Sequence, residues 1–178
     1  MARVLDPVVV AGRDTVLTGR PIAGYGLFTV KDVEVAPIPF QIDRRDTDGN
    51  FVLTAGKEAA CADDPQLDDN DELVFMAMDT GDRLADEKQL PGKNVDCFEL
   101  QVTDPGTQEM NRAYLVAGHC SLEKSAVDHA SYDADSSALA TRNYSGRYDD
   151  HPVAPAGTPL KKASAVRARI LSTVARSG

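Results

Sequence analysis

The chain reads as a mainly β protein, an antiparallel sandwich or open barrel with one amphipathic helix at its C-terminal end. Three observations predict this. Short apolar segments rich in β-branched and aromatic residues recur through the first 145 residues, separated by Asp, Gly, Asn and Pro. Two polar turns, Asp46-Thr-Asp-Gly-Asn and Asp104-Pro-Gly-Thr-Gln, each lie between a pair of such segments, which is the signature of a hairpin. The crossover helices that a parallel sheet requires are not found in the pattern. The expected organisation is a β domain over 1–145, a linker over 146–157 with Pro152 and Pro155, and a basic helix over 158–178.

Val8-Val-Val followed by Gly12-Arg-Asp gives a first strand and its turn. The apolar run from Ile22 to Val30 contains Gly24 and Gly26, two residues apart; on a continuous strand they share a face and leave a strip of bare backbone for close packing. Ile38 to Asp43 and Phe51 to Thr54 form the first hairpin. Pro37 and Pro39 lack a ladder donor, so the strand sits on a sheet edge or begins just after Pro39. Leu73 to Met78 is continuously apolar and reads as a strand buried on both faces, closed by Asp79-Thr-Gly-Asp.

Leu84 to Asn94 is a polar connector with room for one helical turn. Phe98, Leu100 and Val102 then alternate with Glu99, Gln101 and Thr103, a strand with one wet face, and Met110 to Ala117 returns beside it as the second hairpin. Asp128 to Tyr132 and Ala138 to Tyr144 form two weaker strands. In the tail, Thr158 supplies an N-cap hydroxyl and Pro159 a first helical residue. Leu160, Ala163, Val166, Ile170 and Val174 then recur at spacings of three and four, which predicts the helix.

Composition narrows the function classes. A net charge of −9 sets the whole surface against phosphate, so nucleic acid is not an expected partner. The charge is segregated: residues 158–178 hold five basic groups and no acid, leaving 14 basic against 28 acidic groups before them. The basic tail, through Lys161, Lys162, Arg167, Ile170 and Val174, is the expected docking element for another protein chain. Packing of its apolar stripe on the sandwich, with Lys and Arg in water, is the competing expectation, and an anionic membrane surface is the weaker alternative, since the stripe has no Trp or Phe. No window has the roughly 18 to 20 apolar residues of a membrane span. Met1-Ala-Arg-Val-Leu-Asp has no apolar stretch of the secretion-signal type, so the chain reads as cytoplasmic or as a mature form.

The densest chemistry is the stretch from Asp63 to Glu72, where six of ten residues are carboxylates. Ca²⁺ takes six to eight oxygen ligands, which Asp64, Asp68, Asn70 and Glu72 could supply from one loop. A solvated loop, or one that meets the basic tail, is the competing expectation. Asp46-Thr-Asp-Gly-Asn has its glycine two positions early for an EF-hand. A glycosidase needs two carboxylates facing each other across a cleft, and nothing in the spacing selects such a pair.

Cys61, Cys97 and Cys120 form no paired motif. By separation Cys97 could pair with either Cys61 or Cys120. If the second hairpin is antiparallel, Cys97 and Cys120 approach at its open end, which makes them the preferred disulfide, and three reduced thiols remain the alternative. His119, His129 and His151 are too scattered for a zinc site by spacing. His119 and Cys120, as strand neighbours, point to opposite faces. No Gly-x-Ser-x-Gly elbow and no phosphate-binding glycine loop occurs, so no catalytic residue is expected.

Pro39-Phe-Gln-Ile-Asp, followed by Leu67-Asp-Asp-Asn-Asp-Glu-Leu-Val-Phe-Met-Ala, resembles β-sandwich N-terminal modules of secreted bacterial proteins, some attached to carbohydrate-active enzymes. The resemblance covers about residues 35–80 and implies a secreted sandwich in a periplasmic or extracellular setting. The sequence thus leads to a non-enzymatic protein-binding or structural module, an accessory subunit of a larger assembly. The alternatives are a Ca²⁺-assisted carbohydrate-binding module and an ancillary domain of a carbohydrate-active enzyme. With five Tyr and no Trp, the chain has few aromatic faces for stacking sugars.

Overall fold

The computed structural model describes residues 6–52, 66–86, 90–91, 95–118, 122–133, 138–141, 145–147 and 167–171. The chain is mainly β, and every strand pair among the described residues is antiparallel. Among the described residues the helical pieces are three-residue 3-10 turns, and no helix is long and apolar enough to cross a membrane. Chain contacts group the residues into two units, 1–125 with 165–178, and 126–164.

In the first unit, β1 (Pro7–Ala11), β4 (Phe40–Asp43) and β5 (Glu72–Met76) form a three-stranded sheet in the order β1-β5-β4. The other strands here are β2 (Tyr25–Lys31), β3 (Glu34–Pro37), β6 (Asp96–Thr103), β7 (Met110–Ala117) and β11 (Arg167–Leu171), in a sheet ordered β11-β6-β7-β2-β3. Both sheets send alternate side chains into one apolar cluster. Val8, Val10, Leu73 and Phe75 come from the small sheet, and Tyr25, Leu27, Phe98, Leu100, Val102 and Leu115 from the large one. Each such side chain contributes roughly 1.5 to 3 kcal/mol by leaving water.

The large sheet is covered on its other face as well. Phe28, Val30, Tyr114, Val116 and Leu90 form a second buried cluster, with Leu84, Val95 and Leu122 packed against it. The strands buried on both faces are therefore β2, whose first six residues are all buried, and the end of β7 from Ala113 to Ala117, and not Leu73 to Met78. There β5 alternates between buried and half-buried residues and stops at Met76, where Ala77–Asp79 turns as a 3-10 piece. Continuous hydrophobicity at Leu73–Met78 is only half used by the core. Beyond Phe28, β2 and β7 part to admit residues 81 and 82: Gly81 and Arg112 exchange hydrogen bonds of 3.0 and 2.8 Å, and the Asp82 amide donates to Val30 O at 2.8 Å.

Pro37 ends β3 and β4 begins at Phe40, as the two prolines require. Between them Ile38 keeps its amide, which donates to Leu27 O at 2.8 Å, so the chain leaves the large sheet still tied to β2. The second hairpin forms as its alternation predicts, β6 pairing with β7 from Asp96↔Ala117 to Thr103↔Met110. Its turn is organised by Asp104, fully buried, whose Oδ1 accepts the amides of Gly106 at 2.8 Å and Thr107 at 3.3 Å. Gly24 ends a 3-10 turn over Ile22–Gly24, so only Gly26 lies on β2, and the expected shared strip of bare backbone is not formed.

The tail also departs from expectation. Arg167–Leu171 is extended and pairs with β6, from Arg167↔Thr103 to Leu171↔Glu99, rather than helical. Alternation in Arg-Ala-Arg-Ile-Leu fits a period of two as well as of three to four, and the open ladder of β6 supplies partners that an isolated helix lacks. Residues 158–166 and 172–178 of the expected helix lie outside the described residues.

The second unit holds a three-stranded antiparallel sheet of β8 (Ala130–Asp133), β9 (Ala138–Thr141) and β10 (Ser145–Arg147) in the order β10-β9-β8. The first two are the weak strands read from sequence. Gly146 and Arg147, read as the start of a linker, lie in β10, and residues 148–157 lie outside the described residues.

Candidate functional site

The polar groups of the first unit concentrate where two loops meet, residues 44–51 after β4 and residues 66–71 before β5. The first loop is a hairpin turn: Arg45 bridges to Phe51, the Val52 amide donates to Arg44 O at 2.9 Å and the Asp46 amide to Asn50 O at 2.9 Å. Asp46 holds its tip. Its Oδ1 accepts the amides of Asp48 at 2.9 Å and Asn50 at 2.8 Å, and its Oδ2 accepts from the Asn50 side chain at 3.1 Å. Those donors, the Asn50 side chain first, hold the Asp46 carboxyl below the usual aspartate range. Gly49, with φ of 84°, takes the left-handed position that closes the turn.

The second loop turns on Asp71, which is 1% exposed. Its Oδ2 accepts the Asp68 amide at 2.8 Å, and its Oδ1 crosses to accept the Arg45 amide at 2.9 Å. Arg45 then binds both loops through its guanidinium, donating to Gly49 O and to Glu72 Oε2, each at 2.8 Å, and stacking 4.0 Å above the Phe51 ring. Asn70 completes the junction by donating to Arg45 O at 3.3 Å and Asp46 O at 2.9 Å. Beneath it the 3-10 turn Gly12–Asp14 hangs on the same loop, with Gly12 N to Asp71 O at 2.7 Å and Arg13 N to Asp69 O at 2.9 Å.

Of the four residues expected to hold Ca²⁺, the structure brings Asp68, Asn70 and Glu72 into this junction, and Asp64 lies outside the described residues. Glu72 is ion-paired with Arg45, and the Asn70 amide nitrogen is turned to two carbonyl oxygens. Among the described residues no group of three His, Cys, Asp or Glu side chains is placed to hold a metal ion. Arg45 and Asp71 are the residues the sequence reading missed. The available signal was the Asp68-x-x-Asp71 spacing at the mouth of a strand, where a carboxylate can bond back to an amide.

Elsewhere, Cys97 lies half-buried on β6 opposite Val116, and Cys120 lies outside the described residues, as does Cys61. The expected Cys97–Cys120 bridge therefore falls outside what is described, and no disulfide joins described residues. Arg167 and Ile170 lie on β11; Lys161, Lys162 and Val174 are not among the described residues. On the second face of the large sheet, Tyr114 donates to Glu99 Oε2 at 3.0 Å and accepts the Leu84 amide at 2.6 Å. Burial pushes its phenol up to about 12. Lys124 donates to Tyr25 O and lies 4.6 Å above the Phe40 ring, and the loss of water around it lowers its amine from the usual lysine value.

Compared with protein families, with curated proteins and with solved structures, the chain matches none.

One surface breaks the usual rule that an open sheet is apolar inward and polar outward. On the small sheet, Val8, Val10, Leu73 and Phe75 point inward, so Pro7, Val9, Val74 and Met76 point outward. Pro7 faces Met76 and Val9 faces Val74 across the ladder, and Val9 is 47% exposed. The four form a continuous apolar patch, with Gln41 beside Val74 on β4.

Proposed function

We propose that the two sheets of the first unit pack as a sandwich, and that this sandwich is a non-enzymatic module that binds another protein chain. The outward patch of Pro7, Val9, Val74 and Met76 carries this reading. Contiguous apolar surface on the outside of a sheet is stabilised by covering it, and a partner chain is what covers such a patch. The polar junction supports the same reading, because its charged groups satisfy backbone amides and one another and so act as scaffold. The resemblance to secreted modules supports a setting outside the cytoplasm, as an accessory subunit of a larger assembly.

The test is a double substitution, Val9→Lys with Val74→Lys, placed on outward positions that the core does not use. The protein isolated from its own source is expected to carry a second chain in native mass spectrometry, and the variant to lose that chain while keeping its melting temperature. A wild-type protein that runs alone, or a variant that keeps the same chain, removes the proposal.

A further inference from the structure

One edge strand of the large sheet, β11, is also the last described strand, and it is distant along the chain from the strands before it. Between Ala117, the end of β7, and Arg167, the start of β11, lie 49 residues that include the whole second unit, 126–164. Among the described residues β11 has one ladder neighbour, β6, and covers its positions Glu99 to Thr103. Those five residues include Leu100 and Val102, both 0% exposed, so the strand that β11 protects is a core strand. With β11 gone, its amides and carbonyls would form an open edge on a hydrophobic strand, the kind that captures another strand. The register sets Ala168 opposite Val102 and Ile170 opposite Leu100, which puts the uncharged residues of Arg-Ala-Arg-Ile across from the core-facing positions.

We propose that the β6 edge is a strand-acceptor site, and that a second copy of this chain supplies residues 167–171 to it, giving a reciprocal strand-swapped dimer. The bonds made in the swapped dimer are those made within one chain, so only effective concentration separates the two arrangements. A covalent connection holds its end at about millimolar effective concentration. The swapped form therefore emerges as protein concentration nears that value, or when chains refold together at high concentration. This inference stands apart from the apolar patch on the small sheet, which lies on a different sheet.

The experiment uses the full chain. Sedimentation of the wild type from micromolar to about millimolar concentration is expected to show a monomer that passes into a dimer, with dimers of mixed mass forming when isotopically light and heavy copies are refolded together. The double variant Arg169→Pro with Ile170→Pro removes at least one ladder amide, because neighbouring residues of an antiparallel strand point their amides to opposite sides. It is expected to stay monomeric across the series. It should also take up a labelled peptide of residues 165–173 at one per chain, at least roughly tenfold tighter than the wild type, whose own strand competes. The same peptide with Ala168→Lys and Ile170→Lys should not bind. A wild type that is monomeric throughout and forms no mixed dimers overturns the proposal, and that series decides alone if the double-proline chain does not fold. A folded double-proline chain that binds no peptide overturns it equally.

Discussion

The β6–β7 hairpin and the junction of residues 44–51 with 66–72 are held by opposite means. The hairpin is built from side chains that avoid water: Phe98 and Leu100 on one strand face Leu115 and Ala113 on the other, and with Val102 the first two are fully buried. The junction is built from side chains that ordinarily seek water, tied to backbone amides and to one guanidinium. Apolar burial is non-directional and sums over area, so the hairpin tolerates small shifts. Hydrogen bonds to buried amides are directional, and each one lost leaves a donor with no partner. The first region sets how stable the unit is, and the second sets where its loops go.

The largest effect expected is at the hairpin. Phe98→Ala removes a ring that is 0% exposed and leaves a cavity between the sheets, a loss of about 4 kcal/mol in denaturant unfolding. Added salt should leave that loss unchanged, and a salt-dependent loss would mean that charge, not packing, governs this strand.

The junction is next, and its weakest tolerance is steric. A Cβ on Gly12 would lie 1.9 Å from Asp68 O, a backbone atom that cannot move without moving Asp71. Gly12→Ala is expected to lose about 3 kcal/mol, nearly as much as the ring, from the addition of a single methyl group. If thermal unfolding shows this variant within error of the wild type, the 3-10 turn does not rest on the loop as described.

Asp71→Ala removes the acceptor for two amides, Arg45 N and Asp68 N, and should cost about 2 kcal/mol. It should also loosen both loops at once, seen as faster hydrogen exchange at Arg45 and Asp68 together. Exchange that rises at Asp68 alone would show that the Asp71 side chain does not join the loops.

Legibility in the sequence follows the same division. Alternation over Phe98–Thr103 and the turn chemistry of Asp104-Pro-Gly were enough to give the two strands of the second hairpin, because both are local; the register, which sets Cys97 opposite Val116, was not legible. The prolines at 37 and 39 placed the start of β4 for the same reason. The junction was read as a charged loop because its meaning depends on Arg45, 26 residues from Asp71 and 27 from Glu72, and no local pattern carries that distance. The tail was read as a helix because Arg-Ala-Arg-Ile-Leu suits either period, and the open edge of β6 that decides the matter lies more than 60 residues away. Apolar outward positions on β1 and β5 were visible as continuous hydrophobicity, but both-face burial and an exposed patch look alike until the neighbours are known.

The smallest effect tests what the acidic loop is for. Glu72 and Arg45 are 27% and 22% exposed and 2.8 Å apart, so the pair is partly screened, and Glu72→Gln should cost about 0.5 to 1 kcal/mol. Its size should shrink as salt rises, in contrast to the ring on β6. Since Arg45 also bonds Gly49 O and stacks on Phe51, it should hold its place in the variant, and the 44–51 turn should keep its amide shifts. If Glu72 instead serves a cation, calcium should raise the melting temperature of the wild type and not that of Glu72→Gln. Equal melting temperatures with and without calcium in both proteins assign the carboxylate to the guanidinium, and with it the whole loop to holding the scaffold in shape.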